Sequence, residues 1–182
     1  MYGLINMAIK QLVIENHGET GWIQVKEKAA VTQNYFETLN AYDDKITYNL
    51  VFAISEVTGT PVEELLRVFG SYWLSYASKA GYEPLLKMFG PSFKECLMNL
   101  NTMHGQMGAM MPGLVPPHFE IETQIAEKEF ILAYTSQREG LAPMVVGLLE
   151  GLGKRYNLSD LVITSLGKSA NKKTDRFLVK WN

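Results

Sequence analysis

Apolar residues recur at helical spacing through most of the first 110 positions. Leu4, Ile5, Ala8, Ile9, Leu12 and Val13 share one stripe, which predicts a helix over 4–14. NHGETG at 16–21 interrupts it. The stretch TPVEELLRVFGSYWLSYASKAG at 60–81 gives the clearest helix. Thr60 is placed to cap it, Pro61 to sit at its first position, and Glu63 to complete a capping box. Gly70 interrupts that pattern and Gly81 is placed to end it. A short helix over 82–89 stops at Gly90 and Pro91. The next helix spans 92–108, with Ser92 as cap and Glu95 three positions on. Cys96, Leu100, Met103, His104 and Met107 fall near one face of it. Pro112, Pro116 and Pro117 bar its continuation, because they remove backbone donors and lock φ.

Beyond that loop the period changes from helical to alternating. HFEIETQIAE at 118–127 and EFILAYTSQR at 129–138 read as two antiparallel strands. APMVVGLLEGLGKRY at 142–156 returns to helix, with Pro143 near its start. LVITSLGK and RFLVKW read as two last strands, joined through SANKKTD at 169–175. The fold class is therefore α+β. A mainly helical part, 1–110, packs with a strand-strand-helix-strand-strand part, 119–182, that carries a four-stranded antiparallel sheet. No repeat or linker divides the chain, so 1–182 is expected to be a single domain. Its natural ligand site is the cleft between the two parts.

Composition narrows the function. The 182 residues carry 17 basic and 19 acidic side chains, a net charge of -2. No basic excess draws in a nucleic-acid backbone. Basic residues gather from Lys154 onward, against only Asp160 and Asp175, and read as solvated surface. The single cysteine, Cys96, excludes an internal disulfide and a cysteine-rich metal site. The N-terminus lacks a basic n-region, and no window is apolar enough to span a membrane. A cytoplasmic protein without membrane partners is expected. Nine methionines, nine tyrosines, eight phenylalanines and three tryptophans fill a Met-rich core or line a cavity for a large apolar guest.

His104 admits three readings: a packed core ring, a ligand or a catalytic base. No HxxxH, CxxC or HExxH accompanies it, so a multidentate metal site is disfavoured. Ligation by one histidine suits haem, whose macrocycle supplies the other four nitrogens. Haem carboxylates need donors, and YTSQR offers Tyr134, Ser136 and Arg138 on one side of an extended segment. The alternative is a wet polar strand face. A hydrolase triad lacks a GxSxG elbow. A haem-free interaction domain stays open.

Four stretches together carry a family resemblance: NLNTMH ending at His104, PPHF at 116–119, YTSQR at 134–138 and GLAPMVVGLLEGLGKR at 140–155. With MYGLIN at the start, they make the chain resemble the haem nitric oxide/oxygen-binding (H-NOX) domain family along nearly its whole length. This family is related to the haem domain of soluble guanylate cyclase, and the chain resembles its stand-alone bacterial type. The resemblance implies haem b in the cleft, with His104 as the proximal iron ligand. It implies that Tyr134, Ser136 and Arg138 hold the propionates and that Pro117 presses on the macrocycle. Met103 belongs to the same cofactor set. Ile5, Trp73, Met144 and Leu148 are implied to face the gas. Family members that hold oxygen carry a distal tyrosine; the matching position here is Met144. The expected ligands are therefore nitric oxide and carbon monoxide, with oxygen excluded, unless Tyr72 or Tyr76 turns inward. The expected signal is release of His104. It would pass to a separate histidine kinase or cyclic-di-GMP enzyme, since no output module follows Asn182. The sensor itself is expected not to be an enzyme. The cysteine zinc site of some relatives is not expected, because Cys96 lies too early.

Overall fold

In the computed structural model, residues 1–170 and 173–182 are described. Asn171 and Lys172, inside the 169–175 connection, lie outside the described residues. Six α-helices and four strands follow in the order α1 (Gly3–Lys28), α2 (Asp44–Thr58), α3 (Val62–Ala77), α4 (Glu83–Lys87), α5 (Phe93–Met110), β1 (His118–Ala126), β2 (Glu129–Thr135), α6 (Ala142–Arg155), β3 (Val162–Lys168) and β4 (Thr174–Lys180). The fold is α+β, and its antiparallel sheet runs in the order β1-β2-β4-β3.

Several boundaries differ from the sequence expectation, each for a local reason. The break at 16–21 is a kink inside one longer helix: Gly18 alone leaves helical geometry, at φ 69 and ψ 179. Its second half buries Trp22 and Val25. Helix α2 was not individually predicted. Asp43 caps it by accepting from the Lys45 amide at 2.9 Å, and Gly59 closes it in the left-handed region. Thr60 does not cap α3. Its carbonyl accepts from Ser55 Oγ at 2.7 Å and its amide donates to Thr58 Oγ1 at 3.2 Å, so it belongs to the α2–α3 turn. Pro61 takes the N-cap position without a side-chain bond. Gly81 does not stop the chain either. It sits at φ 96 in a π turn, Ser78–Tyr82, that leads straight into α4. Ser92 behaves as expected: its hydroxyl accepts from the Glu95 amide and donates to the Glu95 carboxylate at 2.7 Å.

Gly70 does not interrupt α3 but brings it close to a neighbour. A Cβ there would lie 2.1 Å from the Met144 carbonyl oxygen, and one at Gly147 would lie 1.9 Å from the Arg67 carbonyl oxygen. Helices α3 and α6 therefore pack backbone to backbone. Strand β2 ends at Thr135 rather than at 138, because the Arg138 amide donates to Ser136 Oγ at 3.0 Å and turns the chain.

Two cores result. One holds Phe93, Cys96 and Leu97 of α5, Phe130, Leu132, Phe177 and Val179 of the inner sheet face, and Val145 and Leu149 of α6. The other joins α1, α2 and α3 through Ile9, Val13, Trp22, Leu50 and Phe69. Trp73 packs against both. Among the described residues no helix is long and apolar enough to cross a membrane.

Candidate functional site

Where the two cores meet, the side chains leave a cavity of about 280 Å³. Its lining is largely apolar, with polar groups gathered at one end. All ten residues singled out in the sequence border it. Met103 and His104 come from α5 and Pro117 from the loop before β1. Tyr134 lies one residue before the end of β2, while Ser136 and Arg138 follow the strand. Ile5 comes from α1, Trp73 from α3, and Met144 and Leu148 from successive turns of α6. Strand alternation does not bring the polar trio together, as the sequence suggested; the Ser136 turn does.

His104 is the only histidine on the cavity wall. Its ring stacks on Phe119 at 6.3 Å between centroids, and Phe119 in turn touches Tyr134 at 5.2 Å. Burial lowers the histidine pKa, and the nearby Pro117 carbonyl opposes that effect without reversing it. Nδ1 is buried and makes no hydrogen bond of normal geometry. A neutral ring with a free nitrogen on an apolar wall is suited to ligation. Among the described residues no three His, Cys, Asp or Glu side chains gather as a multidentate metal site. That donor set fits a group bringing most of its own ligands, and haem is such a group.

The polar end is organised by Arg138. Its Nε donates to Asp44 Oδ2 at 2.9 Å, its Nη2 to Asp44 Oδ1 at 3.4 Å, and its Nη1 to the Val115 carbonyl at 3.1 Å. Asp44 also pairs with the Met1 nitrogen. Burial acts to raise the Asp44 pKa, but hydrogen bonds from the Met1 nitrogen and Arg138 outweigh it and hold the carboxyl below its usual range. Burial raises the Tyr134 pKa, and a hydrogen bond with Ser136 works against that. A guanidinium already gripping a carboxylate shows that this end accepts carboxylates.

Sequence reasoning missed four participants. Asp44 was invisible, because its partner Arg138 is far along the chain. Tyr48 borders the cavity and donates to the Glu139 carbonyl at 3.2 Å. Asn101 grips the Phe119 backbone with both amide atoms, at 2.7 and 2.9 Å. Tyr82 borders the cavity, and its hydroxyl makes no hydrogen bond to the described residues. Only the helical spacing of Asn101, one turn before His104, offered a hint. The alternative oxygen donors are corrected as well: neither Tyr72 nor Tyr76 borders the cavity, and Tyr72 donates instead to Glu15 at the surface, 3.1 Å away.

Comparison with known proteins bears on the family and the fold. Residues 2–164 match the haem-NO-binding family profile. Soluble guanylate cyclase gcy-31 of Caenorhabditis elegans is 29% identical over 166 residues, covering 91% of this chain and 24% of that protein. Soluble guanylate cyclase gcy-32 of the same worm is 28% identical over 172 residues, covering 93% of this chain and 25% of that protein. The chain thus spans about a quarter of the length of these relatives. Among solved structures, an Fe(II) H-NOX mutant from S. oneidensis superimposes with a TM-score of 0.88 at 16% identity, covering 100% of this chain and 96% of that one. The unliganded Fe(II) H-NOX protein from K. algicida gives 0.82 at 18%, covering 100% and 97%.

Proposed function

This chain belongs to the haem-NO-binding family, and from that premise we propose that it is a sensor whose ferrous haem b takes nitric oxide and carbon monoxide and excludes oxygen. The observation that carries the reading is a cavity with one histidine on its wall, His104, and a carboxylate-gripping cluster at one end.

When bound, haem supplies the iron atom to which a diatomic gas attaches. The chain's own residues do the rest. His104, kept neutral by burial, offers one ring nitrogen as the ligand, and its other nitrogen stands near the Pro117 carbonyl. Arg138, Ser136 and Tyr134 donate to the guest's carboxylates. To do so Arg138 shares or surrenders Asp44. Pro117 presses the guest from the cavity wall. Ile5, Trp73, Met144 and Leu148 form a gas-facing wall that carries no hydroxyl. Bound oxygen gains from a donated hydrogen bond worth about 1–3 kcal/mol in a dry pocket, and that wall withholds a hydroxyl donor. Two of the cavity's tyrosines donate elsewhere: Tyr2 to the Pro112 carbonyl and Tyr48 to the Glu139 carbonyl.

Signalling follows from where these groups sit. His104 rides on α5, whereas Tyr134 lies on a strand of the sheet. Helix α5 shares one core with the sheet, while α1, α2 and α3 form the other, so a change in the hold on His104 would be felt where the two cores meet around the cavity. The output belongs to a partner activity, a histidine kinase or a cyclic-di-GMP enzyme.

The test is an absorption spectrum of the reduced, anaerobic protein, then of separate samples exposed to nitric oxide and to air. The reading expects one broad high-spin Soret band that moves with nitric oxide and forms no oxy spectrum in air. His104→Gly should bleach the protein, and imidazole should restore the colour. Absence of a Soret band after haem reconstitution would refute haem binding. A stable oxy complex that disappears in Tyr82→Phe would replace oxygen exclusion with oxygen sensing through Tyr82.

A further inference from the structure

We propose that a ladder of aromatic rings on α3 carries oxidising equivalents from the cavity wall to the protein surface, ending at Tyr72 with Glu15 as its proton acceptor. Trp73 borders the cavity. Tyr76 stacks on it, with ring centroids 6.2 Å apart and an interplanar angle of 28°. Tyr72 lies 5.9 Å beyond Tyr76. Its hydroxyl donates to Glu15 Oε1 at 3.1 Å, in an exposed position on α1. The three rings stand at positions 72, 73 and 76, the spacing that gathers side chains on one side of a helix.

Ring packing alone would account for the stacking, but not for a carboxylate placed on the last hydroxyl. Tryptophan and tyrosine are the side chains that give up an electron most readily, and rings in near contact exchange electrons quickly. Phe69 lies 6.1 Å from Trp73 on another side but is far harder to oxidise, so it does not compete with Tyr76 in refilling Trp73. A tyrosine radical that persists must also lose its proton, so the last ring of the ladder needs a base at its hydroxyl. Glu15 is that base. Before oxidation the phenol stays protonated, because burial and the Glu15 carboxylate both raise its pKa. Neither Tyr76 nor Tyr72 borders the cavity, so the ladder leads outward.

The step balances as a one-electron transfer. The oxidant, by class, is a haem that hydrogen peroxide has oxidised; it gains one electron from Trp73. Tyr76, whose hydroxyl has no base among the described residues, refills Trp73 as a transient radical cation that keeps its proton, and Tyr72 refills Tyr76. The Tyr72 O–H bond breaks and its proton passes to the Glu15 carboxylate. A neutral tyrosyl radical and a protonated Glu15 remain. A small-molecule thiolate then returns one electron to Tyr72, Glu15 returns the proton to the phenol oxygen, and the thiolate leaves as a thiyl radical. The ladder would thereby spare the haem and the methionine-rich wall from oxidation.

This use of the ladder rests on the haem reading, but the ladder itself can be tested without haem. Haem-loaded protein is mixed with hydrogen peroxide, freeze-quenched and examined by electron paramagnetic resonance. A tyrosyl signal is expected, lost in Tyr72→Phe and in Tyr76→Phe and weakened in Glu15→Gln, with faster haem bleaching in all three. An unchanged signal and bleaching rate in both phenylalanine variants would overturn the proposal. If the protein takes up no haem, the haem reading fails, and pulse radiolysis of the haem-free chain with azide radical decides the ladder. First-order conversion of tryptophanyl to tyrosyl absorbance, lost in Tyr76→Phe and Tyr72→Phe, supports it; conversion unaltered by either change refutes it. Circular dichroism of each variant confirms that it is folded.

Discussion

Adding one methyl group at Gly147 probes the closest approach in the molecule. The new Cβ would lie 1.9 Å from the Arg67 carbonyl oxygen, 2.8 Å from its carbonyl carbon and 2.9 Å from the Ser71 nitrogen. Contacts under 3.0 Å are essentially never seen for a real Cβ, and every atom met here is backbone, so α3 and α6 must part by roughly 1 Å. A gap of that size forfeits about a quarter to a half of the attraction at each contact it opens. Overpacking of this kind costs about 3 kcal/mol, the upper part of the usual range. Replacing a helical glycine by alanine returns about 1 kcal/mol. The net loss is then about 2 kcal/mol, or a fall in Tm of about 4–8 °C for a chain of this size. Two further glycines calibrate the result. At Gly151 the nearest atoms are the Ser71 carbonyl oxygen at 3.0 Å and Leu74 Cδ1 at 3.4 Å, so Gly151→Ala should be close to neutral. At Gly105 nothing lies within 4 Å, so Gly105→Ala should stabilise by about 0.5–1 kcal/mol. Urea unfolding of the haem-free proteins, followed by far-ultraviolet circular dichroism, measures all three. If Gly147→Ala were as stable as Gly105→Ala, the backbone contact between α3 and α6 would be wrong. The same substitution parts Trp73 from Met144 and Leu148, so carbon monoxide should escape from the loaded variant faster.

Three other outcomes are expected. Asn101→Ala removes two hydrogen bonds to the Phe119 backbone and should cost about 2 kcal/mol by urea titration; a loss no larger than that of an exposed Asn→Ala control would sink the idea that Asn101 ties α5 to β1. The Asp44 carboxyl, held below its usual range, gives stability that is present above 3.8 and is lost as pH falls through its folded value. Asp44→Asn should therefore flatten the acid limb of the unfolding profile, by a small amount because Asp44 is partly exposed; an unaltered limb would show that its ion pairs contribute nothing. Burial pushes the Cys96 thiol up to about 11. Its contribution is present below the ordinary thiol value and is lost as pH rises toward 11. A thiol reagent should accordingly label the native chain only as fast as it unfolds, and rapid labelling at neutral pH would contradict its burial.

Much of this was legible in the sequence, because one-dimensional signals carried it. The shift from helical to alternating period marks the passage from α5 to β1, and Ser92 with Glu95 marks where α5 starts. The ten cavity residues were legible in a different way. Nine of them fall in short stretches that match a known family, with Trp73 outside those stretches, and the fold brings all ten to one cavity. What stayed hidden depends on distant partners. Thr60 looks like a cap until Ser55 claims its carbonyl. Gly70 looks like a break until α6 fills the space it leaves. Arg138 looks like one member of an alternating strand until Ser136 turns the chain and Asp44 supplies a carboxylate. Nothing at position 44 announces a role, since Asp44 acts through Arg138, far away in the chain.

The loop between α5 and β1 is where these distant contacts converge. Tyr2 donates to its Pro112 carbonyl at 2.7 Å and Arg138 to its Val115 carbonyl at 3.1 Å, and His104 stands near its Pro117 carbonyl. The first helix, the turn after β2 and α5 thus meet on a single segment whose prolines stiffen it. Each neutral hydrogen bond is worth about 1 kcal/mol, and a bond from a charged group about 1.5–3 kcal/mol. With the Arg138–Asp44 pair, the contacts at this junction total about 4–5 kcal/mol. Turning a two-state population from one side to the other takes about 5.5 kcal/mol. In the proposed sensor, then, the junction is strong enough to hold the two parts in one arrangement. Redirecting Arg138 from the partly exposed Asp44 removes about 1 kcal/mol of that total. A junction built from packed leucines would lack that property, because burying several such side chains at about 1.5–3 kcal/mol each would exceed what one small ligand can reverse. The polar, proline-stiffened character of this loop is accordingly what the proposed switching demands of it.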